Sequence, residues 1–143
     1  MALKQIDHGT PEYEQMVRLR EEVLRRPLGL SFSEDELSGE KNDVLIAAFD
    51  DDELLGCCLL TQIKNDTVRL RQMAVRDKVQ RKGIGQAIMN FAETLAKDKG
   101  YKKIIMHARD TAMGFYERCG YNTVSSSFIE VSIPHYLMEK TLT

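Results

Sequence analysis

In the run 67–76, Val68 and Leu70 hold one parity of an alternating pattern, while Met73 and Val75 hold the other. A strand sends successive side chains to opposite faces, so this change of phase requires one extra residue near Arg71-Gln72, a β-bulge. A bulge bends its strand away from a neighbour and leaves backbone N–H and C=O groups without partners. Directly after it comes Gln80-Arg81-Lys82-Gly83-Ile84-Gly85-Gln86, which opens an apolar stripe of Ile84, Ala87, Ile88, Phe91, Ala92 and Leu95 at helical spacing. The chain is therefore committed to a bent strand, a glycine turn and a helix. Glycines at the mouth of a helix let backbone N–H groups approach an anion, and the helix dipole favours negative charge there. Arg76, Lys78, Arg81 and Lys82 surround this turn.

The flanks alternate between strand and helix patterns. Residues 3–6 predict a first strand. Thr10-Pro11-Glu12 supplies a capping oxygen, a first-turn proline and an early carboxylate, so a helix starts at Pro11. Tyr13, Met16, Val17, Val23 and Leu24 form its apolar side, Glu14/Arg18, Glu21/Arg25 and Glu22/Arg26 pair on its wet side, and Pro27 ends it. Residues 28–43, which include the acidic run Glu34-Asp35-Glu36, predict a loop with one helical turn. Residues 44–49 and 54–60 read as an antiparallel hairpin across an acidic turn. Beyond the glycine-turn helix, residues 102–107 form a buried parallel strand, and Asp110 or Thr111 caps a second helix with Ala112, Phe115, Tyr116 and Cys119 inside. Residues 121–124 return to strand, and 128–140 give one or two final strands broken at Pro134.

A length of 143 residues with 43% apolar content fits a single domain, 1–143, around one core. The net charge of −2, from 20 basic and 22 acidic side chains, provides no global attraction to nucleic acid or membrane. The first residues lack an apolar signal core, and no run approaches the roughly 18 apolar residues of a membrane span, so the expectation is a cytoplasmic monomer or homodimer. Cys57, Cys58 and Cys119 neither pair evenly nor match zinc-ligand spacing. They predict reduced structural thiols and no metal.

The residues after the two glycines narrow which anion the turn holds. A P-loop needs a lysine and a hydroxyl residue after the last glycine, and a dinucleotide fingerprint needs a third glycine where Ile88 stands; neither pattern fits. The spacing Q-x-x-G-x-G, here Gln80, Gly83 and Gly85 after Gln72-Met73-Ala74-Val75, resembles motif A of the GNAT N-acetyltransferase superfamily. Phe115-Tyr116-Glu117-Arg118-Cys119-Gly120-Tyr121 resembles that family's F-Y-x-x-x-G-[FY] helix and strand. The order of elements resembles the family's over the whole chain.

This resemblance implies an α+β (α/β three-layer) fold: a mixed central sheet of about six or seven strands, the fourth bulged and splayed, with helices on both faces. It implies acetyl-coenzyme A as donor, held by the backbone at Met73, Ala74 and Val75, by N–H groups from Lys82 through Gly83, Ile84, Gly85 and Gln86, and by Gln80, Arg81, Phe115 and Tyr116. Arg76 adds charge. The implied reaction is direct attack by a small-molecule primary amine in a ternary complex, with Tyr116 protonating the departing thiolate. Many relatives carry a glutamate base on the bulged strand, but here the strand reads Arg69-Leu70-Arg71-Gln72. Glu130 and His135 are the candidate bases, with His107 behind them and a water chain as the alternative. The first helix and the 28–43 loop roof the acceptor site. There Glu34, Asp35 and Glu36 suit a cationic amine, whereas Arg18 and Arg20 suit an acidic group on the acceptor. The rival reading is a non-catalytic acetyl-coenzyme A-binding module.

Overall fold

A computed structural model describes all residues from 1 to 143. Eight strands form one mixed sheet: β1 (Ala2–Ile6), β2 (Val44–Asp50), β3 (Glu53–Lys64), β4 (Thr67–Val75), β5 (Lys103–Arg109), β6 (Asn122–Thr123), β7 (Phe128–Glu130) and β8 (Ile133–Thr141). The order across the sheet is β1-β2-β3-β4-β5-β8-β6, with β7 also paired to β8. Only β4 and β5 run parallel. No helix is long and apolar enough to cross a membrane.

The helices are α1 (Pro11–Arg20), α2 (Glu34–Ser38), α3 (Ile84–Asp98) and α4 (Met113–Arg118). One core lies under α3 and α4, where Val68, Leu70, Ile104, Met106 and Ala108 meet Ile88, Met89 and Tyr116. The second lies under α1, where Tyr13, Met16 and Leu19 meet Leu59, Cys57 and Ala74. Alternation along the strands assigns each side chain to one of these cores.

The phase break is where the pattern put it. Cys57 pairs with Ala74 and Leu59 with Arg71, so Gln72 and Met73 together oppose Cys58. Gln72 takes a left-handed φ of 57°. The extra residue restores Met73 and Val75 to the α3 core that holds Val68 and Leu70. Beyond Leu70, paired with Met106, β4 and β5 no longer pair, while His107 and Arg109 stay bonded to β8. The parallel strands thus open into a V.

Four expectations need correction. The first helix does not run evenly to Pro27: after Arg20 it widens into a π-turn (Glu21–Arg25) and tightens into a 3₁₀ turn (Arg26–Leu28). Proline has no N–H and crowds the carbonyl of the turn before it, so the helix opens upstream of Pro27. The i,i+4 pairs do not form; Arg25 bonds Glu36 at 2.9 Å and Glu22 faces Arg76 at 3.8 Å. The last segment does not break at Pro134: it turns at Val131-Ser132, both left-handed, which adds β7 beside β8 to the expected mixed sheet, and Pro134 sits within β8 opposite Ile129. Arg20 is wholly buried, giving paired bonds of 2.8 and 2.6 Å to Glu40, which also accepts the Tyr13 hydroxyl at 2.6 Å. It has no part in meeting an acceptor.

Candidate active site

The V between β4 and β5 is the throat of a cleft of about 780 Å³. On the α3 side its wall is the glycine turn. Arg81 and Gly83 are both left-handed, at φ 68° and 82°, which turns the backbone back on itself just before the first turn of α3. A Cβ on Gly85 would stand 3.1 Å from Phe115 Cζ, so glycine here lets α3 and α4 close on each other. Gln80 braces the turn: its Nε2 donates to the Val75 carbonyl at 2.9 Å and to Asp77 at 3.0 Å. The motif glutamine is therefore bonded to the bulged strand itself.

Met73, Val75, Gln80, Arg81, Gly83 and Gly85 all line the cleft, as do Gln86, Phe115 and Tyr116. Ala74, Lys82 and Ile84 do not. Ala74 points into the α1 core, Ile84 packs on the α3 core and Lys82 is exposed. Arg76 is turned away as well, donating through Nε to Leu54 O at 2.9 Å, and Lys78 is paired with Glu53 at 2.8 Å. Arg118, one turn after Phe115, lines the cleft instead.

Tyr116 is 7% exposed, its ring edge-on to Phe115 and Tyr121, and its hydroxyl has no hydrogen bond to any protein group. Burial, with Cys58 and Cys119 nearby, pushes that hydroxyl well above the usual phenol range. It stays protonated. Cys119 is buried, its thiol pushed up by burial and Glu93, and its Sγ contacts Gln86 Oε1 at 3.4 Å rather than facing the cleft.

The α1 side of the throat gathers the candidate bases from three strands. Glu130 Oε1 lies 3.0 Å from His107 Nδ1, and Glu130 Oε2 lies 3.7 Å from His135 Nε2. Phe128 stacks on His135 and meets His107 edge-on, fixing both rings. His135 is 3% exposed, and its Nδ1 lies 2.7 Å from the Ile133 carbonyl. A carbonyl only accepts, so that nitrogen carries a proton. Burial pushes the Glu130 carboxyl up, but the His107 hydrogen bond and the neighbouring Arg69 charge outweigh it and hold it below the usual carboxylate range.

His107 Nδ1 also lies 2.9 Å from Arg69 Nη2, and one nitrogen cannot accept from Arg69 while donating to Glu130. With Glu130 ionised, a proton on Nδ1 gives a charge-assisted bond at 3.0 Å and leaves the Arg69 N–H to the Glu130 carboxylate, 3.8 Å away. Without that proton Nδ1 accepts from Arg69, but two lone pairs face each other across the Glu130 contact. On the strength of the charge-assisted bond we assign the proton to Nδ1. Nε2 is left as the acceptor of a neutral His107 ring.

Sequence reasoning missed the remaining lining. The π-turn contributes Val23, Leu24 and Arg25, and Arg71 and Arg109 extend from β4 and β5. The acidic run is elsewhere: Glu36 closes a capping box with Ser33 and binds Arg25, and none of its three carboxylates reaches the cleft.

Comparison with known proteins agrees with this geometry. Residues 18–142 match the family model described as an acetyltransferase (GNAT) domain. A Bacillus subtilis (strain 168) protein named as an acetyltransferase is 30% identical over 115 residues, 80% of this chain and 76% of its own length. YjcF of the same organism, named an uncharacterized N-acetyltransferase, is 29% identical over 85% of this chain and 87% of its own. Among solved structures, an aminoglycoside 6'-N-acetyltransferase complexed with coenzyme A superposes with a TM-score of 0.84 at 20% identity, covering 100% of this chain and 98% of that one. With its bulged fourth strand, open V and glycine turn, the chain belongs to the GNAT acetyltransferase family and is an acetyl-coenzyme A-dependent acyltransferase.

Proposed function

We propose that the protein acetylates a primary amine of a small molecule by direct attack in a ternary complex. One observation carries this reading: the cleft passes through the open V, joining the glycine turn on one side of the sheet to His107 and Glu130 on the other. Donor and acceptor then enter from opposite faces and meet in the throat, with no shuttling residue required. The three cysteines, all buried, offer no exposed nucleophile for an acyl-enzyme.

The residues fit acetyl-coenzyme A, which supplies an activated acyl thioester. The β5-facing edge of β4 past Leu70 lacks a strand partner and suits an extended amide-bearing arm. Gly83, Gly85 and the start of α3 suit a pyrophosphate, with Arg81 and Arg118 supplying charge. On the acceptor side, His107 Nε2 takes the proton released as the amine nitrogen bonds to the acyl carbon. Glu130 orients the ring and stabilises its charged form, and Arg69 in turn holds Glu130. As the carbon–sulfur bond breaks, the Tyr116 hydroxyl donates to the thiolate. A buried phenol and a buried thiolate are both raised by desolvation, so the transfer stays balanced.

Tyr116→Phe keeps the ring in the α4 core and removes only the donor. Turnover should fall at least about tenfold while the Kd for acetyl-coenzyme A changes little. Steady-state kinetics beside calorimetric titration checks this, and undiminished turnover removes Tyr116 as the acid. Gly85→Val presses on Phe115 and narrows the turn. It should weaken coenzyme A binding about tenfold or more, read by titration. Unchanged affinity would put the pyrophosphate elsewhere.

A further inference from the structure

The acceptor side of the cleft has a charge pattern that the transferase reading alone does not explain. Val68, Leu70, Ile104, Met106 and Ala108 all point into the α3 core, so alternation sends Arg69, Arg71, His107 and Arg109 to the opposite, α1 face. Arg25 reaches the same chamber from the π-turn. Four guanidiniums thus line a space whose only lining carboxylate is Glu130, already bonded to His107.

Three of the four have acidic partners. Arg69 lies 3.8 Å from Glu130, Arg71 lies 3.7 Å from Asp43, and Arg25 is paired at 2.9 Å with Glu36, which stands outside the cleft, its guanidinium over the Phe32 ring. Arg109 has none. Half-buried, it gives a single protein hydrogen bond, from Nη2 to the Leu24 carbonyl at 3.1 Å. That carbonyl belongs to the widened turn that also carries Arg25. Burial and the neighbouring Arg25 charge both disfavour the Arg109 cation. A partly desolvated guanidinium with most of its five donors unused, facing a like charge, is costly unless a ligand completes it. A carboxylate matches its planar fork.

We propose that the acceptor is an amine bearing a carboxylate, and that Arg109 with Arg25 binds that carboxylate while the amine meets His107. Arg109 and His107 project from alternate positions of β5, on the same face. The separation suits an amine and a carboxylate on one small molecule. A polycationic acceptor such as an aminoglycoside would bring further positive charge to the unpaired Arg109 and leave its donors unused. The shared fold therefore does not carry over to a shared acceptor.

This inference rests on the transferase reading, and its test separates the two. N-acetylglycine and N-acetylglycinamide are product-like probes of nearly equal size that differ in the carboxylate. With coenzyme A present, the Arg109 Nε–Hε resonance should shift saturably with N-acetylglycine, and the amide should bind about tenfold more weakly or worse. Arg109→Gln should abolish that preference, and Arg109→Lys, which keeps the charge, should restore part of it. Equal affinity for the two probes, no binding of either, or a preference that survives Arg109→Gln would each overturn the proposal. If amines still drive thiol release from acetyl-coenzyme A in those cases, only the acceptor class is wrong. If none does, the transferase reading has failed.

Discussion

Replacing His107 by alanine should lower kcat/KM for the acceptor about a hundredfold or more, while the Kd for acetyl-coenzyme A stays within about twofold. The loss is large because proton removal from the attacking amine is assigned to one atom, Nε2. Its neighbour Nδ1 is committed to Glu130 at 3.0 Å. Glu130→Gln should cost less: the amide oxygen still accepts from Nδ1, but the charge that stabilises the protonated ring is gone. The residual rate of His107→Ala should keep rising with pH, as solution rather than protein supplies the free amine. A purely structural role for His107 would lower activity without changing the shape of the pH profile. Unchanged kcat/KM would remove His107 from the proton path and leave the work to a water chain.

Arg20→Met should destabilise the domain by about 3–5 kcal/mol, because the Glu40 carboxylate is left buried without its partner. At this size that corresponds to a fall in Tm of roughly 10 °C, read by calorimetry or circular dichroism. Arg20→Met with Glu40→Gln should recover much of the loss, since the amide oxygen still accepts the Tyr13 hydroxyl and no charge is stranded. Burial pushes the Glu40 carboxyl up, but the Arg20 and Tyr13 hydrogen bonds and the Arg20 charge win, leaving it below its ordinary value. A carboxylate lowered by folding contributes stability that is fully present above its unfolded value. That contribution is lost as pH falls through the lower folded value. Wild type should therefore lose stability on acidification below the ordinary carboxylate range, and the double variant should lose less. If Arg20→Met melts with wild type, the pair is not what seats α1.

The elements legible in the sequence were those with local causes. The parity break fixed the bulge, because a strand's period of two tolerates no insertion without a phase change. Gly83 and Gly85 fixed the turn, and Thr10-Pro11 the start of α1, where the Tyr13 N–H does bond the Thr10 hydroxyl. Arg20 was readable in principle. It stands in the gap between Met16-Val17 and Val23-Leu24 on the apolar stripe, and an arginine there signals a buried partner. What hid that partner is distance in sequence: Glu40 lies 20 residues away, past the 3₁₀ turn and α2. The acceptor chamber was illegible for the same reason. Arg69, His107, Glu130 and His135 converge only through the register of β4, β5, β7 and β8, and the two left-handed residues at Val131 and Ser132 set where Glu130 falls. Leu24 and Arg25 enter the site through a π-turn that arises from Pro27 but leaves no mark in the hydrophobic spacing.

Catalysis in the throat of the cleft is what separates an enzyme from a coenzyme A-binding module. Free thiol released from acetyl-coenzyme A, monitored across a panel of small amines and amino carboxylates at varied concentrations of both substrates, measures that directly. Amine-dependent release with intersecting double-reciprocal lines, reduced by His107→Ala and Tyr116→Phe, is the expected result. Tight coenzyme A binding with no amine-dependent release would contradict it and identify the domain as an acetyl-coenzyme A-binding module without chemistry.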